Sequence, residues 1–232
     1  PVVPTIFSFR FSGFRAARIS PRCPRFALRS VSGPEKAFLD PPWEFDSGMT
    51  SIQLKEEHGG VKVMLRIIGK ICDRMESGET VPVPHLEKIL DFPKVFVDIC
   101  HHGKEEEHLF PALIAAGVPR DGGPIGQMLL EHEQGRAFVR GMGAAARACA
   151  AGATTAGIAD FVSNARGYTQ LLPAHIDKED NVLYPIADAR LTAETQAALS
   201  VAFERVEEER VGHGRHEAFH ARMDRLSGEY GA

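Results

Sequence analysis

One spacing constrains this chain more than any other. A set of acidic, imidazole and aromatic residues returns 74 residues further on. Glu57-His58 recurs as Glu131-His132, His101 as His175, Glu105 as Glu179, and Leu109-Phe110-Pro111 as Leu183-Tyr184-Pro185. In each copy the lone histidine precedes the His-x-x-x-Glu by 43 residues. Residues four apart share a helix face, and matches at one offset mark an internal duplication. The pattern therefore reads as two copies of one helical hairpin.

The hydrophobic pattern agrees. From Thr50 onward apolar residues recur with helical period, and strand alternation is absent. A first helix is predicted over about 51–77, with Ile52, Leu54, Val61, Leu65, Ile68 and Cys72 on one side and Gly78 as its stop. Pro82 and Pro84 open a second, about 84–116, that ends at Gly117 with Pro119 beyond. A third starts near Pro124 and runs to about 149; a fourth covers about 157–190. Thr192 is placed to cap a fifth helix, with Glu194 in its first turn, reaching about 228 with an interruption near Gly212 and Gly214. Long amphipathic helices joined by short loops predict an all-α, up-down-up-down four-helix bundle over 49–190. The C-terminal helical extension, 191–232, is expected to pack on that bundle.

Residues 1–48 read differently. Within 1–33 there are six arginines and no acidic residue, and 1–48 carries a net charge of +3 against −4 for the whole chain. Translation from upstream of a start at Met49, an organelle transit peptide and a functional arm all fit such a leader. Each excludes it from the bundle.

The repeated residues have a chemistry in common. His101 projects beside Glu105, and His175 beside Glu179. If the hairpins pack about a pseudo-twofold axis, four imidazoles (His58, His101, His132, His175) and two carboxylates converge at one depth. Leaving them buried and unpaired would cost about 1–3 kcal/mol each. Metal ions remove that cost: neutral imidazole suits iron, zinc, copper or nickel, and carboxylates can bridge two ions. The symmetry favours a pair, with Glu105 and Glu179 shared. A lone helical histidine is ordinarily solvated or a satisfied core residue; six matched positions in two copies are not. His101 and His102 are adjacent, and His102 stands at the same spacing from Glu106. The 74-residue offset selects His101, and Asp98 one turn before His102 points the same way.

Composition narrows the function classes. A net charge of −4 and a pI near 6.2 disfavour a nucleic-acid binder. No apolar run is long enough to span a membrane. The four cysteines are scattered without a C-x-x-C, which fits a reducing, cytoplasmic setting. There is no P-loop, no G-x-G-x-x-G and no nucleophile elbow.

With these residues in view, the chain resembles the hemerythrin-like, HHE cation-binding family. The resemblance is carried by Glu57-His58, by His101-His102-Gly-Lys-Glu105-Glu106-Glu-His-Leu-Phe-Pro111, by Glu131-His132-Glu133, and by His175-Ile-Asp-Lys-Glu179-Asp180-Asn-Val-Leu-Tyr-Pro185. It covers about residues 50–190. It implies a four-helix bundle around a non-haem di-iron centre, with His58, His101, His132 and His175 as terminal ligands and carboxylates as bridges. Oxygen-carrying members have a second histidine one turn after the helix-three ligand; here that position is Arg136, matched by Lys62. They also place the last bridge five residues after its histidine, which is Asp180 here, whereas the internal repeat selects Glu179.

Several residues keep two readings. Lys62 and Arg136 either pair with bridging carboxylates or reach to the surface. Tyr168, seven residues before His175, either lines a ligand pocket or packs in the core. His213, His216 and His220 either hold a metal or cover a bundle face. His108 is peripheral, and Cys100 is a core thiol. The resulting expectation is a protein with two iron ions that binds or senses a small diatomic or peroxide ligand at an open iron position. The rivals are a di-iron oxidoreductase turning over such molecules and an iron storage or delivery protein.

Overall fold

A computed structural model describes residues 49–152, 154–212 and 214–232. The basic leader and His213 lie outside the described residues. Those described form six helices and no strand. Helix α1 is Met49–Glu76; α2 spans 83–115; α3 is Pro124–Ala150; α4 spans 154–190; α5 spans 193–211; α6 is Arg215–Tyr230. These boundaries follow the punctuation in the sequence. Gly78 and Gly117 adopt φ of 84° and 87°, the left-handed region where a Cβ is disfavoured. After α2 the Val118 N–H returns to the Leu113 carbonyl, closing the last turn. Thr192 caps α5 by accepting a hydrogen bond from the Thr195 N–H at 3.2 Å.

Two apolar layers and one polar layer stack along the bundle. In α1 the order is Leu54, then His58, then Val61 to Met75; in α2 it is Leu86 to Cys100, then His101, then Leu109 to Leu113. Helix α3 runs Ile125 and Met128, His132, Val139 to Cys149, and α4 runs Phe161 to Leu172, His175, Leu183 to Ala187. The order inverts from each helix to the next, as an up-down-up-down bundle requires. The histidine layer therefore lies between two hydrophobic clusters that exclude water from both ends.

Ile52 corrects the expected apolar face of α1: it is 48% exposed, while Thr50 and Ser51 are buried. Two residues of helix turn Ile52 about 200° away from Leu54, and Ser51 instead donates a hydrogen bond to Asp188 at 3.0 Å. The C-terminal extension is two helices broken at Gly212 and Gly214. Leu199 and Phe203 of α5 cover one apolar cluster, and Phe219, Met223 and Tyr230 of α6 cover the other. No described helix is long and apolar enough to cross a membrane.

Candidate metal centre

The duplicated histidines arrive together. His58, His101, His132 and His175 are each at most 2% exposed. Every one of their Nδ1 atoms meets a carboxylate: His58 with Asp180 at 2.7 Å, His101 with Glu57 at 2.8 Å, His132 with Glu106 at 2.6 Å, His175 with Glu131 at 2.9 Å. An ionised carboxylate only accepts, so each Nδ1 carries a proton, and in the neutral ring Nε2 keeps a lone pair. That tautomer is the one a metal ligand needs. Glu57 precedes His58 by one residue, about 100° around the helix, so it serves the histidine of the neighbouring helix, not its own.

A cationic ring holds these carboxylates in turn. Lys104 pairs with Glu57 and Lys178 with Glu131. Lys62 pairs with Asp180 at 3.2 Å and Arg136 with Glu106 at 2.6 Å. All four pairings obey the 74-residue offset. Burial opposes the charged form of Glu57, but His101 and Lys104 hold its carboxyl below the usual range. Asp180 and Glu106 are lowered likewise against burial, by His58 with Lys62 and by His132 with Arg136.

The Nε2 atoms converge on Glu105 and Glu179, both 0% exposed. Glu179 lies 3.1 Å from His58 Nε2, 3.0 Å from His175 Nε2 and 3.6 Å from His132 Nε2. Glu105 lies 3.4 Å from His132 Nε2 and 3.8 Å from His101 Nε2. His132 Nε2, His175 Nε2, Glu105 Oε2 and both Glu179 oxygens are buried without a partner in hydrogen-bond geometry. Their proximity without hydrogen bonds is what a set of donors facing a common cation looks like. Burial and the Glu179 carboxylate push Glu105 well above the usual carboxylate range. Glu179, despite burial, is held well below it by His175, His132 and His58.

Three groups in the layer could each hold an ion: His58, His101 and Glu179; Glu105, His132 and Glu179; and His102, His132 and His175. Thus all six residues selected by the repeat come together, and Glu179 takes the central position. Asp180 is outside it, on His58 Nδ1. Lys62 and Arg136 grip the outer carboxylates, not the central pair.

The structure adds three features to that reading, the first at a residue the sequence offered only as an alternative to His101. His102 is buried along with His101, its ring stacked on His132 at 3.7 Å. Burial, then the His132, His101 and His175 imidazoles, push it well below the ordinary histidine range. The Tyr184 hydroxyl donates to Glu105 at 2.9 Å; a tyrosine where the other copy has Phe110 was the available signal. Glu207 of α5 accepts from Lys104 and Gln53, which nothing local in the sequence reveals. Among the remaining histidines, His108 packs near Phe203, and His220 belongs to none of the three groups. The His216 side chain and His213 lie outside what is described. Tyr168 is both core and cavity wall.

Fold and site define a helical bundle with a buried imidazole-carboxylate centre suited to metal cations. The Hemerythrin HHE cation binding domain matches residues 51–187, and the chain belongs to that family. Uncharacterized proteins of Mycobacterium tuberculosis and Mycobacterium bovis are each 27% identical to it over 191 residues, 80% of this chain and 74% of theirs. No solved structure matches it significantly.

Proposed function

We propose that the protein holds two iron ions through His58, His101, Glu105, His132, His175 and Glu179, and binds or senses a small ligand such as oxygen, nitric oxide or peroxide. The observation that carries this reading is the pair of buried glutamates between four imidazole Nε2 atoms, with every Nδ1 anchored on a carboxylate. Two histidines per hairpin with two shared carboxylates supply donors for two cations, and imidazole with carboxylate suits non-haem iron. Iron would supply redox chemistry and a coordination position open to a ligand. The protein's own residues keep the donors neutral or anionic and oriented, and the apolar clusters on either side exclude bulk water.

The buried thiols support a reducing, cytoplasmic setting. Cys72, Cys100 and Cys149 are free, and burial pushes the Cys100 thiol up to about 12, away from reactivity. Anaerobic iron loading, followed by oxygen, nitric oxide or peroxide with optical readout, tests the function. Two irons per chain and a reversible spectral change are expected. One metal per chain, or zinc alone after anaerobic reconstitution, counts against the pair. Multiple turnovers without a persistent change would make the protein an oxidoreductase.

A further inference from the structure

A cavity of about 260 Å³ between α2, α3 and α4 is lined by none of the six residues proposed to hold the metals. Its wall includes Val97, Asp98, His102, Gly135, Val139 and Tyr168. His102 belongs to both the cavity wall and the histidine layer. It is 5% exposed, and its Nδ1 is buried without a partner in hydrogen-bond geometry, 3.5 Å from Asp98 Oδ1. Its ring lies face to face with His132, 3.7 Å between centroids and 14° between planes. Imidazole lone pairs lie in the ring plane. One atom of each ring lies within 4.8 Å of the other and of His175, but two nearly parallel stacked rings do not point their in-plane lone pairs at one ion as they stand; with His132 as donor, His102 then stands beside the metal position.

The internal duplication sets this cavity against an apolar counterpart in the other copy. The counterpart of His102 is Ile176 and that of Gly135 is Val61, both buried in the apolar core. A Cβ on Gly135 would meet Tyr168 Cε2 at 3.7 Å and Leu172 Cδ2 at 3.9 Å, ordinary contacts. A Cβ is therefore sterically admissible at 135, and glycine leaves the space open. One copy of the repeat is filled by valine and isoleucine; the other keeps a gap ending at an imidazole. The mouth carries the Arg136–Asp98 ion pair at 2.7 Å.

We propose that this cavity is the pocket for a small ligand of the peroxide class, and that His102 hydrogen-bonds the ligand beside the metal held by His132 and His175. This rests on the metal reading above. A neutral imidazole offers one donor and one acceptor nitrogen, which matches a molecule that both donates and accepts. Tyr168 adds a phenol to the wall, and Val97 and Val139 make the sides apolar.

Azide, an accepting anion of similar size, is the probe, titrated optically into the iron-loaded full chain. His102→Leu is expected to keep two irons and to weaken azide roughly tenfold, the loss of one hydrogen bond to a charged ligand; His102→Gln should recover part of it. Gly135→Val, which copies the other half of the repeat, should keep the iron and weaken or slow azide by a similar factor. Gly135→Ala, compatible with any helix, should act in the same direction to a smaller extent. Loss of one iron in His102→Leu would make His102 a ligand and overturn the proposal. So would unchanged azide binding in the His102 and Gly135 variants. A wild-type chain that takes up no iron would overturn the metal reading, and this one with it.

Discussion

At the scale of single residues, neighbours on one helix have opposite duties. Glu105 and Glu179 face inward, whereas Glu106 and Asp180, about 100° further round, hold His132 and His58 by their Nδ1 atoms. Glu105→Ala and Glu179→Ala are each expected to lose most of the metal or to uncouple the two ions magnetically. Glu106→Ala and Asp180→Ala should still load two ions, with affinity lowered about 10–100-fold, as for other outer partners of ligating histidines. Elemental analysis with magnetic measurements on the four variants checks this; an empty Asp180→Ala beside a loaded Glu179→Ala would move the bridge outward. A second expectation concerns protons. Burial and the Glu179 carboxylate favour the protonated form of Glu105 in the metal-free protein, and a coordinating carboxylate must be ionised. Metal binding near neutral pH should release at least that proton, seen as buffer-dependent heats in calorimetry. Heats independent of the buffer's ionisation enthalpy would mean that Glu105 is already charged.

At the scale of helices, the two His-x-x-x-Glu segments share a π turn. The Phe110 N–H reaches the Glu105 carbonyl, and the Tyr184 N–H the Glu179 carbonyl, five residues back in both. Pro111 and Pro185 follow immediately and have no N–H to continue the α ladder. The wider turn re-registers the helix just where the central carboxylates leave it, a common placement for π turns at functional sites. Elsewhere the helices depend on small features. Thr192→Ala should lower the unfolding free energy by about 1 kcal/mol through loss of the α5 cap, measured by urea denaturation; an unchanged midpoint would mean water satisfies the freed N–H. Gly157 lets the start of α4 sit against α3: a Cβ there would fall 3.1 Å from the Cys149 backbone nitrogen and 3.2 Å from the Ala145 carbonyl oxygen. Backbone cannot swing aside as a side chain can, so Gly157→Ala should cost about 1–3 kcal/mol, read from the same denaturation curves.

At the scale of the whole molecule, the bundle encloses a polar layer that its own hydrogen bonds leave incomplete. Each unpartnered buried atom costs on the order of 1–3 kcal/mol, and cations bound only to the folded state recover stability in proportion to the logarithm of their excess over Kd. Metal-loaded protein should therefore melt above metal-free protein, with about 2.7 kcal/mol gained at a hundredfold excess. Calorimetric scans with and without a chelator read the difference; identical melting would mean that no metal binds the native layer. The C-terminal extension breaks the symmetry of that layer. Lys104 is 0% exposed beneath α5 and shared with Glu207, while its duplicate Lys178 stands 38% exposed.

How much was legible divides along the range of the forces involved. Helix positions, their stops at Gly78 and Gly117, the Thr192 cap and the six converging residues all follow from spacings of a few residues or from one exact offset, so the sequence determined them alone. Ile52 lay on the wrong face because a hydrophobic list does not count the 200° between residues two apart. The burial of both His101 and His102 and the reach of Glu207 into the Glu57–Lys104 pair were decided only in three dimensions. Each depends on which neighbouring helix supplies the partner and at what rotation. Rotation about a helix axis is fixed by packing across the bundle, and no spacing within one helix encodes it.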